Sequence, residues 1–323
     1  QDEACEIFDL TPLQPIRVKG KSKPISIYQV EGPRENALLR RARQRDPLWG
    51  RDAELTQARS VLAAALAGQS QMLILQGLAG MGKSHLADVL VNAALQTGAQ
   101  VLPYICRPYQ CGTPYAVWGP LLRTLIGIEA TDNTGQQQER LYAALEQHDL
   151  PRGYAAPLAA VMGLDPGSGS APASSKTMLS GSPLLNDVLN ISAKKRGSSL
   201  DLFEQLEDHQ TGEDGQMWLK PPAQFTLRER EMLTGAVIAL LDGQLAGRPG
   251  VLFFEDAHWL DVESLALALA LVGKLPDRPL LILLTRRGEE TPPEGVRVHT
   301  LNLGPLAQQG AFEMVSYILA SEL

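Results

Sequence analysis

The stretch from Leu75 to Val89, LQGLAGMGKSHLADV, constrains the fold of this chain more than any other. An apolar run precedes its glycines and an amphipathic pattern follows them, so a strand, a tight turn and a helix are expected in that order. The turn fits the pattern G-x-x-x-x-G-K-[ST], which in this context is typical of loops that bind nucleotide phosphates. The loop residues concerned are Gly77, Gly80, Gly82, Lys83 and Ser84.

Each residue type in this loop has a chemical reason to be there. Glycines let successive backbone N–H groups approach phosphate oxygens, Lys83 supplies a mobile positive charge, and the Ser84 hydroxyl is a ligand for Mg²⁺. The first turn of the following helix adds its partial positive charge. The sequence therefore predicts a nucleotide bound with Mg²⁺, and the lack of an N-K-x-D motif for guanine favours ATP.

A second motif, VLFFEDAHWLD, places two carboxylates after an apolar run. The run ends at Phe254, so Glu255 and Asp256 are expected at the carboxyl edge of a sheet, where open α/β sheets bind ligands. One carboxylate can hold Mg²⁺, and the other can orient or deprotonate the attacking water. The alternative, an acidic turn after a buried strand, explains one carboxylate but not a pair that accompanies a glycine loop.

A third apolar run, PLLILLTRRG, ends in Thr285, Arg286 and Arg287. These residues are predicted at the same edge, where a polar or cationic group can sense or stabilise the γ-phosphate. Arginines that follow a strand are also common as ordinary surface residues. Spacing alone favours neither a role at the γ-phosphate nor a surface position.

The alternation of strand and helix patterns predicts an α/β fold with a mainly parallel sheet flanked by helices. The chain has 323 residues, 44% of them hydrophobic, which is enough for a sizeable core. The pattern breaks down over about 165–222, which is rich in Gly, Ser and Pro and is predicted to be a largely irregular insertion.

Composition excludes several classes of protein. The formal net charge of −7 argues against a dedicated nucleic-acid binder, because such proteins carry basic excess. Three cysteines form no disulfide framework and suit a reducing compartment, so a cytoplasmic location is expected. The longest apolar run, Leu265 to Val272, is shorter than the roughly 20 residues that span a bilayer, so no membrane role is expected.

The N-terminal region has a different organisation. Ile16 and Val18 on one side of the turn GKSKP, and Ile25 and Ile27 on the other, predict a β-hairpin that belongs to a larger sheet. Residues 34–46 carry five arginines and predict a solvated linker helix, which is favoured over an anion-binding role. Because the chain begins with Gln1, we expect a fragment with three parts, 1–33, 34–46 and 47–323.

From about Pro47 onward, the order of four motifs resembles the STAND branch of AAA-related signalling ATPases. The motifs are WGRDAEL, GLAGMGKS, FFEDAHWLD and LLTRR. The resemblance implies a P-loop NTPase fold and ATPase activity. It implies that Gly50 and Arg51 lie near the adenine, that Glu255 serves the metal and that Asp256 serves the water. By the same resemblance Thr285 and Arg287 match a T-x-R motif, and His258 and Trp259 are scaffold.

The N-terminal hairpin, with its V-K-G turn, is similar to the closing strands of class III nucleotide cyclases. In that family a lysine of this turn can reach the substrate phosphates, and the resemblance implies Lys19 or Lys21 for that position here. The resemblance implies an upstream adenylate or guanylate cyclase domain, as in soluble adenylate cyclase-like proteins, as the intramolecular partner. The same ATPase also occurs in LuxR-type transcription regulators, and a non-hydrolysing nucleotide-binding scaffold is a third possibility. Further protein partners are expected through the region beyond the C-terminus.

Overall fold

A five-stranded sheet organises the computed structural model, which describes residues 8–13, 27–33, 37–43, 48–164, 222, 225–245, 248–288 and 297–321. All its strand pairs are parallel, and the strand order is β4-β5-β6-β3-β7. The strands are β3 (Gln71–Gln76), β4 (Gln100–Ile105), β5 (Gly250–Glu255), β6 (Leu280–Arg286) and β7 (Val298–Asn302). The α/β fold with a parallel sheet, predicted from the alternating patterns, is confirmed.

The three motif strands are unbroken apolar runs because they are covered on both faces, as parallel strands usually are. Every residue of β3 and β5 is buried, and β6 is buried up to Thr285. The register pairs Gln76 with Arg286. The ends of β3 and β6 therefore meet at one edge of the sheet, together with the end of β5, which runs parallel to β6.

The chain divides into two compact units. The sheet unit comprises Gln1–Ile105, Pro249–His258 and Pro279–Leu323, and the helical unit comprises Cys106–Arg248 and Trp259–Arg278. The sheet unit contains α1 (Ala37–Arg43), α2 (Asp52–Leu66), α3 (Lys83–Gln96) and α9 (Gln308–Ser321). Helix α3 forms where the amphipathic pattern after the glycines predicts it, and both α2 and α3 bury their apolar faces in a core shared with the strands.

Helix α1 corrects the expectation of a solvated linker. Leu38 and Ala42, which are four residues apart and so lie on one helical face, are 2% and 1% exposed. Both belong to the core that also contains residues of α3. The count of arginines predicted a solvated helix, but two apolar side chains at the spacing of one turn are enough to dock it.

At the N-terminus, β1 (Phe8–Pro12) pairs antiparallel with β2 (Tyr28–Pro33). A strand at β1 is not among the predictions made above. The predicted strand through Ile16 and Val18, and its turn, lie outside the described residues. The predicted insertion over about 165–222 also lies outside them, apart from Pro222.

The helical unit contains α4 (Trp118–Leu125), α5 (Thr134–Gln147), α6 (Ala155–Met162), α7 (Leu227–Leu245) and α8 (Val262–Lys274). Trp118 is fully buried, and its indole N–H donates to the Ser264 carbonyl at 3.2 Å. Asp261 caps α8 by accepting a hydrogen bond from the Ser264 N–H. One-turn 3₁₀ helices occur at Pro108–Gln110, Arg152–Tyr154 and Ala257–Trp259. Within the described ranges, no helix combines the length and the apolar character needed to cross a bilayer.

Candidate functional site

The glycine loop joins β3 to α3 and has the backbone conformation that its glycines permit. Gly80 and Gly82 have φ values of 79° and 80°, in the left-handed region that most side chains avoid. A Cβ at either residue would meet nothing within 4 Å, so open space adjoins this part of the loop. At Gly77 a Cβ would collide with the Leu303 carbonyl oxygen, so the loop can pass this point only as glycine.

Lys83 begins α3 and folds back over the loop. Its ammonium group donates to the carbonyl oxygens of Gly77 at 2.8 Å and Leu78 at 2.6 Å, and the residue is 7% exposed. Burial lowers the pKa of Lys83 below its ordinary value, the charge of Arg287 lowers it further, and Asp256 opposes both effects. An anion that enters this loop would therefore meet an incompletely compensated cation.

Asp256 follows β5 in a strained conformation. Its φ of 54° is left-handed, which is uncommon outside glycine and concentrates at functional sites. Its backbone N–H donates to the Thr285 hydroxyl at 3.0 Å, and Thr285 is 1% exposed. The buried threonine at the end of β6 thus holds the backbone from which the Asp256 carboxylate projects.

The side chains of Arg287 and His258 lie close to the Asp256 carboxylate without hydrogen-bonding to it. Its Oδ1 lies 3.7 Å from Nε of Arg287 and 3.9 Å from Nδ1 of His258, both beyond hydrogen-bond length. Burial lowers the pKa of His258, with Asp256 opposing and Arg287 and Lys83 adding to the effect, so the neutral ring is favoured. The structure therefore brings Lys83, Asp256 and Arg287 near one another with an excess of positive charge, and their roles stay a prediction.

Glu255 has a partner that the sequence analysis does not identify. The Arg41 guanidinium, on α1, donates from Nη1 to Oε2 of Glu255 at 3.0 Å and from Nη2 to Oε1 at 2.8 Å. The same guanidinium donates from Nε and Nη2 to the two carboxylate oxygens of Asp88, at 2.8 and 2.9 Å. Burial opposes these bonds, but they outweigh it and raise the pKa of Arg41 above its ordinary value.

The sequence pattern does indicate that Asp88 needs a charged partner. It interrupts the apolar stretch of α3 and is fully buried, a position where an acidic residue needs a cationic partner. Nothing local in the sequence identifies that partner as Arg41, which is 47 residues away along the chain.

Gly50 and Arg51 lie beside the glycine loop. Arg51 is 5% exposed and donates to the carbonyl oxygen of Met81 at 3.1 Å, to Glu54 at 2.7 Å and to the Gly304 carbonyl oxygen. Gly50 has a φ of 58°, and a Cβ there would come within 2.8 Å of the Gly310 Cα. The pair therefore ties the loop to the segment after β7, and its contact with adenine stays a prediction.

Ser84 follows Lys83 in the first turn of α3 and is partly exposed. Among the described residues, no three His, Cys, Asp or Glu side chains form a ready-made metal site. A divalent ion at this loop would therefore take most of its ligands from phosphate oxygens and water, as Mg²⁺ commonly does.

A parallel sheet with a glycine loop, a following helix and a carboxylate pair at one edge defines a P-loop nucleotide-binding fold. Residues 47–283 match the family model for the AAA ATPase domain, and the chain belongs to that family. The chain is accordingly a P-loop NTPase module. The match includes every predicted site residue from Gly50 to Asp256 and ends before Thr285 and Arg287. Comparison with curated proteins gives no match.

Proposed function

We propose that this chain is an ATP-binding, slowly hydrolysing switch module of a larger signalling protein. The observation that carries the proposal is the juxtaposition of Lys83, Arg287 and Asp256 next to an open glycine loop. Two cations and one carboxylate leave a positive excess there, and a polyphosphate would neutralise it. Membership of the AAA ATPase domain family supports the same assignment.

In this proposal the residues of the chain divide the work of binding and hydrolysis. The backbone N–H groups of the glycine loop and the Lys83 ammonium bind phosphate oxygens, which replace the carbonyl oxygens of Gly77 and Leu78 as partners of Lys83. Asp256 orients the attacking water and accepts its proton. Arg287 stabilises charge on the γ-phosphate oxygens as the bond to the leaving group breaks. Thr285 keeps Asp256 in place through its backbone.

The residues present fit a magnesium ion held with the nucleotide. Ser84, in the first turn of α3, and Glu255, at the end of β5, are the proposed ligands, directly or through water. When bound, Mg²⁺ neutralises charge on the β- and γ-phosphate oxygens. Gly50 and Arg51 are proposed to border the adenine, since Arg51 donates a hydrogen bond to the carbonyl oxygen of the loop residue Met81 and Gly50 precedes it in the chain.

The wider context of the module is proposed from sequence resemblance. The likeness of the hairpin within residues 1–33 to the closing strands of class III cyclases supports a parent protein with a cyclase domain before the module. A transcription regulator with the same ATPase is the main alternative. The genomic DNA upstream of the Gln1 codon distinguishes the two, because a cyclase requires paired metal-binding aspartates to be encoded there.

The direct test of the proposal is ATP binding by Lys83→Ala, measured by isothermal titration calorimetry in the presence of Mg²⁺. Loss of a charge-assisted contact with phosphate is worth about 1.5–3 kcal/mol, so affinity is expected to fall by roughly 10- to 150-fold. Lys274→Ala, which removes an exposed lysine of the helical unit, is the matched control and should bind like the parent. A parent that does not bind ATP, or a Lys83→Ala variant with unchanged affinity, would refute the phosphate assignment.

A further inference from the structure

The contact between Arg41 and Glu255 joins the connector helix to the candidate metal carboxylate. Arg41 lies on α1, between the buried residues Leu38 and Ala42. Because these two side chains belong to the core of the sheet unit, the docking of α1 determines where the Arg41 guanidinium lies. A change in the position of α1 would therefore move the partner of Glu255.

The guanidinium is held on two sides by carboxylates. It makes two hydrogen bonds with Asp88, on the helix that follows the glycine loop, and two with Glu255, all between 2.8 and 3.0 Å. Such paired contacts fix the plane and the direction of both groups, which a single contact would not do. Asp88 thus orients Arg41, and Arg41 orients Glu255.

Charge balance makes Arg41 necessary for this arrangement. The side chains of Asp88 and Glu255 are 0% and 7% exposed, whereas that of Arg41 is 33% exposed. Without the guanidinium, the buried Glu255 carboxylate would lose the cation that makes two hydrogen bonds with it, which is costly. Glu255 would then be expected to turn away from its present position.

The number of acceptor positions on a carboxylate allows Glu255 a second partner. An ionised carboxylate has about four acceptor positions, and Arg41 uses two of them, one on each oxygen. In this proposal metal-bound water would donate hydrogen bonds to the remaining acceptor positions. Arg41 therefore fixes the carboxylate without using up its capacity as an acceptor.

We propose that Arg41 is a positioning residue that holds Glu255 for the metal-nucleotide complex, so that Mg²⁺-dependent nucleotide binding requires the docking of α1. This inference rests on the proposed function, since it assigns Glu255 to the metal. It gives the connector helix a specific task, because displacement of α1 would weaken Mg²⁺-dependent binding without removing the phosphate loop.

The test compares Arg41→Ala with the parent by titrating Mg²⁺ into protein mixed with a fluorescent ATP analogue. Loss of a residue that orients a metal ligand typically costs 10- to 100-fold in metal affinity. The Mg²⁺ concentration that gives half of the maximal increase in analogue binding should therefore rise by about tenfold at least. Binding of the analogue in EDTA should stay unchanged, because Lys83 and the loop are intact. A merely structural role for Arg41 would weaken binding with and without Mg²⁺ alike.

Arg40→Ala is the matched control, since it removes the same charge from the neighbouring position of α1 without touching Glu255 or Asp88, and it should behave like the parent. Arg41→Lys keeps the charge but not the planar guanidinium that donates paired hydrogen bonds, so its Mg²⁺ response should lie between those of Arg41→Ala and the parent. An Arg41→Ala variant with the Mg²⁺ response of Arg40→Ala would overturn the proposal. Tighter Mg²⁺-dependent binding would overturn it too, because Arg41 would then compete with the metal.

Two further variants keep the test decisive. If Arg41→Ala does not fold, as judged by thermal unfolding, Arg41→Lys and Asp88→Asn provide the measurement with smaller changes, and both should weaken the Mg²⁺ response. In a Glu255→Gln background the substitution of Arg41 should have no additional effect, and an undiminished effect there would contradict a role through Glu255. A parent that binds no analogue at all would instead refute the proposed function itself.

Discussion

Asp256 and Asp261 lie five residues apart in one acidic segment, yet their carboxylates have opposite surroundings. Asp261, in the helical unit, is 6% exposed and accepts from the Tyr115 N–H at 3.1 Å, the Ser264 N–H at 2.8 Å and the Ser264 hydroxyl at 2.6 Å. The side chain of Asp256, in the sheet unit, is 35% exposed, and the nitrogens of Arg287 and His258 beside it lie beyond hydrogen-bond length.

The difference separates a carboxylate that stabilises the fold from one whose capacity to accept hydrogen bonds is not used by these neighbouring cations. All the donors of Asp261 are neutral groups that lie close to it, so its negative charge is stabilised in the folded protein without any ligand. Asp256 has cations close by but no short hydrogen bond, and its own backbone is strained. We infer that Asp261 stabilises the fold and that Asp256 is available for chemistry.

The largest expected effect is on hydrolysis by Asp256→Asn. Loss of a general base typically lowers the rate by 10²- to 10⁴-fold, so kcat for ATP should fall by at least about 100-fold. Asparagine tolerates the left-handed backbone, so the thermal unfolding midpoint should change little. Phosphate release with Mg·ATP and thermal unfolding measure the two effects, and Asp277→Asn, an exposed aspartate of the helical unit, is the control. Turnover equal to the parent's would remove Asp256 from the proposed role.

Asp261→Ala should have the converse effect. The substitution removes the cap of α8 and leaves the buried Tyr115 N–H without its acceptor. A lost cap costs about 1 kcal/mol and an unsatisfied buried donor about 1–3 kcal/mol, so the free energy of unfolding should fall by roughly 2–4 kcal/mol. Urea unfolding measures this loss.

Asp261→Asn, which keeps one acceptor oxygen, should lose less stability than Asp261→Ala. If Asp261→Ala were as stable as the parent, the three hydrogen bonds to Asp261 would have no structural weight. The contrast between the two aspartates would then rest on Asp256 alone.

The sequence predicted the sheet well because its strands are continuous apolar runs that end in recognisable motifs. The apolar run before the glycine loop forms β3, and the apolar run that ends at Phe254 forms β5. Helix α9 is not among the predictions, although Phe312, Val315 and Leu319 have helical spacing. Helix α6 is also absent from them, since its short, almost wholly apolar sequence has no periodicity to read.

The candidate site was predictable only where chemistry follows directly from a strand end. Lys83, Asp256 and Thr285 each follow or end a motif strand, so the order of the motifs brings them together. The pairing of Arg41 with Glu255 spans 214 residues and depends on the docking of α1. Local pattern does not encode such a contact, and the abundance of arginines in the connector favoured the wrong interpretation.

The smallest expected effect concerns Tyr115, which shares the left-handed backbone of Asp256, with a φ of 59°, but is 4% exposed. Burial raises the pKa of Tyr115 to about 12, with Arg230 opposing and the carboxylates of Glu263 and Asp261 adding to the effect. Because its ordinary value is 10.0, the unfolded phenol loses its proton first. The contribution of the neutral phenol to stability is therefore present below pH 10 and is lost as the pH rises from 10 towards 12.

Tyr115→Phe lacks this titration, so its free energy of unfolding relative to the parent should improve by about 1 kcal/mol between roughly pH 9 and pH 11. Urea unfolding at the two pH values measures the change. A constant difference between the two proteins would show that the phenol titrates normally. In that case the environment on the Asp261 side would be more open to water than its burial implies, and the contrast with Asp256 would be weaker.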